Sequence, residues 1–325
     1  MINSNAFISS LDPSVARKLS HETISVPMME SITPRWLLTL LPWVPVEAGV
    51  YRVNKCKTNQ GASCNEYGEK LIEVISCQTG ENELPETFAD FDPNPREYPL
   101  SVIQTILKIH SQVFDLHNVP INQLQEQLRL TTEAIQERQE WELINNREFG
   151  FLHSAAPEMR ISPRKGAPTP DDLDELLSLV WKKPAFFLAH PRAIAAFGRE
   201  CTRRGVPPAT VNLHGSPFIT WRGVPLVPCD KLMVNDKSKS DLCCSGTTSI
   251  LLMRVGETEQ GVIGLHQPGI PEEQYRPSLT VKFGGIDNKS VANYILNLYF
   301  GAAVLTGDAL GVLDNVEVGY YHDYA

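Results

Sequence analysis

The spacing of apolar and polar positions changes several times along the chain, and the first marked apolar run is Thr33 to Asn54, TPRWLLTLLPWVPVEAGVYRVN. Its continuous apolar block is shorter than the roughly 20 residues that a membrane-spanning helix needs. Pro42 and Pro45 interrupt this block, and Glu47 ends it. Because proline cannot continue a helix cleanly, we predict a short helix from Pro34 to Leu41 followed by an extended arm.

The predicted helix and arm carry large apolar side chains that another part of the protein, or another protein molecule, has to cover. The residues that we expect at a subunit interface are Trp36, Leu40 and Trp43. No basic segment followed by an apolar core and a small-residue cleavage site precedes them, so we expect neither a signal peptide nor a membrane protein.

Alternating apolar and polar residues follow the arm. The stretches GVYRVNKC and KLIEVISC flank a polar, glycine-containing segment, which predicts a long β-hairpin from Tyr51 to Cys77. The proline-rich, acidic stretch after it predicts an extended connection. Further along, apolar residues at helical spacing predict one helix over about 100–116 and a long helix from Pro120 to Asn146.

Residues that start and end helices are easiest to identify after residue 168. Thr169 is placed as an N-cap, Pro170 lies in the first turn, and Lys182 and Lys183 end the predicted helix. A short buried strand, AFFLAH, and a helix that stops at Gly205 come next. Of the later segments, TTSILLMRVG and QGVIGLHQ predict a hairpin, SLTVKFGG a strand, and SVANYILNLYFGAAVLTG an apolar helix or a mixture of helix and strand.

Composition narrows the class of protein. The 325 residues are 42% hydrophobic and 21% charged, as in ordinary globular proteins. A net charge of −9 argues against general nucleic-acid binding, which leaves a basic footprint. Seven cysteines without a signal peptide predict reduced thiols in a cytoplasmic protein.

Motifs for chemistry are weak. The chain has no phosphate-binding glycine loop, no dinucleotide fingerprint and no His-Glu-x-x-His pair, and the adjacent Cys243 and Cys244 lack the spacing of a zinc or thioredoxin motif. His190 is expected to be structural. His214 and His266 lie in turn-rich segments, which keeps an enzyme as one alternative. Otherwise we expect no catalytic residue, cofactor or metal site, because helix capping explains the acidic cluster at residues 171–175.

An extended arm, a projecting ribbon and a long exposed helix are typical of a chain that completes its burial against copies of itself. Four segments of the chain resemble those of the family 2 encapsulins, which are bacterial shell proteins. The segments are the run at Thr33, QERQEWELINNREFGFL, TPDDLDELLSLVWKKPAFFLAHPRAIAAFGRECTRRGVPP, and GVIGLHQPGIPEEQYRPSLTVKFGGID. The resemblance covers nearly the whole chain, from about Leu19 to Val318. It implies an α+β, tailed-phage major-capsid (Hong Kong 97-like) fold.

Within that family, one branch carries an inserted cyclic-nucleotide-binding domain. No segment here is long enough to hold one, so the chain resembles the other branch, subfamily A, in which the enclosed enzyme is a cysteine desulfurase of sulfur metabolism. The resemblance therefore implies a homo-oligomeric icosahedral shell in the cytoplasm, with a cargo enzyme inside. A phage or prophage major capsid protein of the same fold is the alternative.

The resemblance also implies a division of the chain. Residues 1–50 are expected to form the N-terminal arm, 51–99 the extended loop with its return, 100–168 the peripheral domain with its spine helix, 169–266 the axial domain, and 267–325 a return to the peripheral domain. The polar loop at 235–246 is a candidate pore element, in which Lys237, Lys239 and Asp241 would set the charge of an opening.

Overall fold

A computed structural model describes residues 33–54, 56–58, 89–91, 93–110, 123–236, 246–268, 274–276 and 278–319. The chain separates into two compact units. Unit 1 contains residues 1–35, 102–139 and 269–298, and unit 2 contains residues 36–101, 140–268 and 299–325.

Unit 2 is organised around a mixed sheet of eight strands among the described residues, in the order β7-β18-β13-β8-β11-β10-β9, with β12 beside β13. These strands are β7 (Arg160–Ile161), β8 (Phe186–Ala189), β9 (Ala209–Leu213), β10 (Ser216–Trp221), β11 (Val224–Pro228), β12 (Asn235–Asp236), β13 (Gly246–Met253) and β18 (Leu310–Glu317). All four residues of β8 are buried, as the apolar run AFFLAH predicts, because β11 and β13 pair with it on either side.

Two helices of unit 2 begin and end where the sequence predicts. The helix α4 (Pro170–Leu179) starts with a capping box, in which the Thr169 hydroxyl accepts from the backbone of Asp172. The helix α5 (Pro191–Arg203) starts after His190 and ends before Gly205, whose φ of 70° glycine adopts without strain. Leucines of α4 and Phe197 of α5 pack into the main hydrophobic core with β8 and β13.

A second group of strands in unit 2 surrounds the arm. The short helix α1 (Trp36–Leu40) leads to β1 (Trp43–Pro45), which pairs in parallel with β14 (Val262–His266). β14 in turn pairs with the last five residues of β17 (Val291–Val304). Both the helix and the extended arm are thus confirmed. A two-stranded ribbon of β2 (Val50–Val53) and β5 (Arg96–Pro99) follows, and β3 (Cys56–Thr58) pairs with β4 (Ala89–Phe91).

Unit 1 contains strands and most of a long helix. β16 (Leu279–Ile286) pairs with the first part of β17 and with β15 (Gln274–Arg276), and β6 (Ser101–His110) also pairs with β17. The helix α2 (Gln123–Asn145) confirms the predicted long helix, and its first 17 residues belong to this unit. Arg35 holds the chain against that helix through Glu133, at 2.5 Å. The remaining helix, α3 (Phe151–Ser154), is one turn in unit 2.

The helix predicted over about 100–116 is wrong for its described part, because residues 101–110 form strand β6. Ile103, Leu107 and Ile109 point inward while Val102 and Ile106 are exposed, so the true period is two. Apolar residues on both faces of the strand imitated helical spacing, and pairing with β17 selects the extended form.

The hairpin predicted from TTSILLMRVG and QGVIGLHQ is also wrong. Both segments are strands, but β13 pairs with β8 and β18 in the eight-stranded sheet, whereas β14 pairs with β1 and β17. The two segments are close in the chain, which suggested that they pair with each other. Each strand instead has other partners on both of its sides. Both alternatives predicted for SVANYILNLYFGAAVLTG, a helix and a mixture of helix and strand, are wrong as well, since β17 is one strand of 14 residues.

The ribbon that begins at Tyr51 is confirmed as a strand, but its described partner differs from the prediction. β2 pairs with β5, so the return strand comes from the proline-rich segment that was predicted to be an extended connection. The predicted return strand, residues 71–77, lies outside the described residues.

A buried arginine in unit 2 depends on one carboxylate. The side chain of Arg254 is 3% exposed, and its guanidinium donates to both oxygens of Asp308, at 2.9 and 3.2 Å. Burial alone would raise the pKa of Asp308, but hydrogen bonds from Arg254 and Thr306, the Arg254 charge and Lys182 outweigh it and lower the pKa below its usual range. The contact therefore stabilises the fold above the unfolded-state pKa of about 3.9 and is lost as the pH falls below it.

We predict that Asp308→Asn lowers the free energy of unfolding by about 2 kcal/mol at neutral pH, because a buried guanidinium loses its counter-charge. The difference from the unsubstituted protein should begin to shrink below about pH 4, because the Asp308 carboxyl of the unfolded chain becomes protonated there while that of the folded protein stays ionised to lower pH. Chemical denaturation across pH measures this. Asp171→Asn is the control, because its side chain is 63% exposed. An equal loss at every pH would contradict the assignment.

Candidate functional site

The arm, residues 36–46, is held to unit 2 by a buried face and by main-chain hydrogen bonds. Leu37 and Leu41 are buried, at 0% and 2% exposure. The backbone N–H of Gly264 donates to the Pro42 carbonyl at 2.8 Å, and that of Val46 donates to the His266 carbonyl at 2.8 Å. The arm therefore enters the sheet as an edge strand.

Trp43 fixes the position of the arm on β14. Its ring lies over Gly264, where a Cβ atom would come within 2.7 to 2.9 Å of three ring carbons. Its indole N–H donates to the Leu38 carbonyl at 3.0 Å, and its ring meets the His266 ring edge-on with centroids 6.4 Å apart. Only glycine at position 264 leaves room for the indole at this distance from the backbone.

Trp36 and Leu40 lie one turn apart on α1. The Trp36 ring meets Phe218 edge-on at 5.1 Å and lies 6.1 Å from the His214 ring. Like Trp43, both residues are half-buried within the subunit. The structure thus brings the three candidate interface residues onto one short segment and covers each of them in part.

The ribbon β2–β5 is anchored at its base beside the arm. The Tyr98 hydroxyl donates to the Val304 carbonyl at 2.6 Å, and the Tyr51 hydroxyl donates to Glu257 at 2.7 Å. Burial, followed by the hydrogen bond and charge of Glu257, raises the pKa of Tyr51 to about 12. Val46, Tyr98 and apolar residues of β14 and β17 share a hydrophobic cluster, so arm and ribbon have a common foundation.

The three histidines considered in the sequence analysis lie in a helix cap, a turn and a buried position. His190 caps α5, because its Nδ1 accepts from the backbone N–H of Arg192 at 3.1 Å, and burial lowers its pKa. His214 lies in the β9–β10 turn at a φ of 49°. The Nδ1 of His266 is buried without a hydrogen-bond partner in the described structure, and burial lowers the pKa of this histidine. Across the described residues, no side-chain hydrogen bond links any of them to a nucleophile.

The acidic cluster at the start of α4 consists of paired groups. Asp172 completes the capping box, Glu175 pairs with Arg164 at 2.5 Å, and Asp171 lies 3.3 Å from Arg204. The hydrogen bond from Arg222 is the main cause that lowers the pKa of Asp174, which also accepts from Trp221 at 2.7 Å. Arginines and backbone groups therefore occupy the places that a metal ion would take.

A second acidic group, which the sequence did not suggest, brings Glu140, Cys229 and Asp230 within 4.8 Å of one another. Lys231, with only 7% of its side chain exposed, pairs with Asp230 at 2.7 Å. Burial, followed by the charge of Glu140, raises the pKa of the Cys229 thiol far above its usual range. Lys231 therefore places a positive charge beside this acidic group.

Several large apolar side chains are exposed on the isolated chain, and the sequence did not identify them. They include Phe283 and Ile286 in unit 1, at 54% and 66% exposure, and, in unit 2, Val211 in the edge strand β9 and Val206 just before it. The candidate pore residues Lys237, Lys239 and Asp241 lie outside the described residues, so their role stays a prediction. Among the helices that are described, none is long and apolar enough to cross a membrane.

Comparison with known proteins identifies the class of protein to which this arm and these surfaces belong. A family model described as "Type 2A encapsulin shell protein SrpI-like" matches residues 57–320. The chain belongs to the SrpI-like type 2A encapsulin shell family. This confirms the branch that the sequence motifs indicate.

Individual members of the SrpI-like family are similar over nearly their full length. The chain is 56% identical over 309 residues to the type 2A encapsulin shell protein SrpI of Synechococcus elongatus, covering 95% of this chain and 94% of that protein. It is 51% identical to a type 2A encapsulin shell protein of Mycobacterium leprae, covering 95% of each.

The fold agrees with this assignment. The structure superposes on the cryo-EM structure of the holo-SrpI encapsulin complex from Synechococcus elongatus with a TM-score of 0.78, 51% identity, and coverage of 97% of this chain and 99% of the other. The capsid protein of a native GTA particle matches with a TM-score of 0.56 at 13% identity, over 87% of this chain and 91% of that one. The α+β, tailed-phage capsid fold predicted from the motifs is thus confirmed.

The contact between Trp43 and Gly264 yields a prediction for this shell protein. Gly264→Ala should displace the indole and lower the free energy of unfolding by about 2 kcal/mol, because the added methyl overlaps the ring. Limited proteolysis should then cut the arm faster, and chemical denaturation measures the loss.

The matched control is Gly198→Ala in α5, where an added Cβ meets nothing within 4 Å. That substitution should leave the arm protected and keep or raise stability, because alanine favours a helix over glycine. If both variants behaved alike, Trp43 would not depend on the space above Gly264.

Proposed function

We propose that the chain assembles with copies of itself into a closed icosahedral shell in the cytoplasm, which encloses a cargo enzyme and admits small molecules through pores. The observation that carries this proposal is the match, over nearly its whole length, to shell proteins and to the subunit of the holo-SrpI encapsulin complex. The role is structural, and no catalytic residue is assigned to the shell.

The arm supports a role in subunit contact. Trp36, Leu40 and Trp43 have part of their surface covered within the subunit and part exposed. Large aromatic side chains at the centre of an interface contribute disproportionately to association. We therefore assign the exposed side of this segment to a contact with a second copy of the chain.

Other parts of the proposal rest on family resemblance. The division into an arm, an extended loop, a peripheral domain and an axial domain is proposed with the boundaries given above. A cysteine desulfurase is the proposed cargo, and Lys237, Lys239 and Asp241 are the proposed charged residues of a pore.

A phage or prophage capsid protein is the second candidate, because phage capsid proteins share the fold. The degree of similarity favours the encapsulin. The curated encapsulin shell proteins are 49 to 56% identical to this chain, whereas the capsid protein of Microbacterium phage Oxtober96 is 12% identical at a TM-score of 0.56.

We expect the purified chain, expressed alone, to form uniform closed particles in negative-stain microscopy and light scattering. Trp43→Ala should raise the subunit concentration needed for assembly by about tenfold or more, since a buried aromatic anchor is lost, while leaving the secondary structure of the subunit largely intact. Circular dichroism of dissociated subunits reports the fold separately.

Trp221→Ala is the contrasting variant, because Trp221 is 6% exposed and lies in the main core. It should impair folding and assembly together. The interface role of Trp43 would be wrong if Trp43→Ala reduced both to the same extent. A single small species from the unsubstituted chain would contradict the shell itself.

Mass spectrometry of particles purified from the native host should identify a cysteine desulfurase inside them. Particles filled with the DNA of a phage genome would instead support the capsid protein. Substrate turnover by cargo-free particles that is abolished by His214→Ala or His266→Ala would support an enzyme and contradict a purely structural shell.

A further inference from the structure

Each tryptophan of the arm meets a histidine ring of unit 2. Trp43 meets His266 edge-on with ring centroids 6.4 Å apart, and Trp36 lies 6.1 Å from His214. The two histidines differ in their surroundings, because His214 is exposed in a turn whereas His266 belongs to β14, the strand with which the arm pairs. Histidine changes its charge near neutral pH. The attachment of the arm therefore involves a group that can be protonated in mild acid.

The arm lies along one side of His266, which is the last residue of β14. Pro45 pairs with it in the parallel register, and its carbonyl accepts from the backbone N–H of Val46 at 2.8 Å. On the other side of β14, Phe300 of β17 pairs with it. Because the Trp43 ring also lies against the imidazole, detachment of the arm would expose the imidazole to water.

The Nδ1 atom of His266 is buried and has no hydrogen-bond partner in the described structure. A neutral ring with its proton on Nε2 has only a lone pair at this atom, whereas a charged ring places an N–H there. Burying a charged group that lacks an acceptor costs more than burying an unpaired neutral nitrogen. The attached arm therefore favours the neutral imidazole.

The residues that pack around His266 carry no charge. Trp43 and Pro45 lie beside it on β1, and Phe300 lies opposite it on β17. The Phe300 ring is fully buried and meets the ring of Phe149 edge-on, with centroids 5.8 Å apart. These neighbours are aromatic or aliphatic, so they give a positive imidazole no carboxylate to pair with.

Titratable groups occur further along the same elements. Glu47 follows Val46 at the end of the arm, and Arg147 and Glu148 precede Phe149; all three are exposed. Tyr299 is the neighbour of Phe300 in β17, and successive side chains of a strand point to opposite faces. The exposed groups are solvated whether the arm is attached or not, so they contribute less to a change in arm attachment than the buried imidazole does.

The direction of the pH effect follows from the burial of this ring. Burial lowers the pKa of His266, and a backbone hydrogen bond with Gln267 opposes the shift without cancelling it. When the arm is detached, the exposed ring has the ordinary histidine pKa of about 6.5. The attached arm therefore has its full stability above about pH 6.5 and loses it as the pH falls from there through the lowered pKa of the attached form.

We propose that His266 acts as a pH-dependent switch, in which protonation of its ring in mild acid releases the arm from β14. The switch operates between parts of one subunit, so it does not rest on the proposed function. His214 has no such effect on Trp36, because its exposed ring is solvated in both charge states. The two tryptophans of the arm therefore differ in their response to acid, and only the contact of Trp43 is released by protonation.

Hydrogen exchange of the full-length chain, measured by mass spectrometry of peptides from the arm and from the core strand β8, tests the switch. The ratio of the two protections cancels the intrinsic pH dependence of amide exchange. Between pH 7.5 and 5.5 the protection of the arm relative to β8 should fall severalfold. The upper limit is about tenfold, because pH 5.5 is one unit below the pKa of an exposed histidine. An unchanged ratio would overturn the inference.

The variant His266→Phe assigns the effect to this ring, because it keeps an aromatic side chain beside Trp43 and removes the nitrogen that titrates. The arm of this variant should have the same relative protection at pH 5.5 as at pH 7.5. The matched control is His153→Phe, which makes the same chemical change at an exposed histidine of α3 and should keep the pH response of the unsubstituted chain.

A full pH response in His266→Phe would overturn the inference and leave the proposed function intact. If that variant fails to fold, His266→Gln decides the case, since its side chain is also uncharged at every pH. The glutamine variant should likewise lose the fall in relative protection between pH 7.5 and 5.5, and an arm that is still released in acid would rule out His266 as the switch.

Discussion

The packing of Trp43 against Gly264 is the constraint on which the arm depends. An indole can lie this close to a strand only where the strand has no side chain, and its position sets the parallel pairing of β1 with β14. The chain then leaves the sheet at Val46 and forms the ribbon β2–β5, whose base is tied to β17 by Tyr98 and to Glu257 by Tyr51. The position of the ribbon therefore follows from the arm that Trp43 fixes and from the two tyrosine hydrogen bonds at the base of the ribbon.

Apolar side chains are fully buried in the core of this subunit and only partly buried in the arm. The eight-stranded sheet and the helices α4 and α5 enclose apolar side chains completely, as a chain that folds on its own requires. The arm is different, because Leu37 and Leu41 are buried while Trp36, Leu40 and Trp43 keep an exposed side. We infer that the two buried leucines hold the arm to its own subunit. The exposed sides of the two tryptophans and Leu40 then contact a neighbouring copy.

Sequence patterns predicted the elements whose signals are local. The capped helix at Thr169, the helix that stops at Gly205 and the buried strand at Phe186 depend on caps, glycine and apolar runs within a few residues. The same reasoning gave the wrong element for residues 101–110 and 291–304. Apolar side chains on both faces of these strands hide the period of two, and only pairing with neighbouring strands selects the extended form. The two partners of β13 are likewise distant in the chain. The candidate interface residues came from a general argument about uncovered aromatic side chains, whereas the contact of Trp43 with Gly264 depends on a strand pairing that no local pattern reveals.

The most direct test of this account is hydroxyl-radical footprinting of the arm, read by mass spectrometry in assembled particles and in dissociated, folded subunits. The account predicts that Trp36 and Trp43 are modified in dissociated subunits and strongly protected in particles, while the buried Leu37 stays unmodified in both. Equal modification of the two tryptophans in particles and in dissociated subunits would contradict the claim that a second copy of the chain completes their burial.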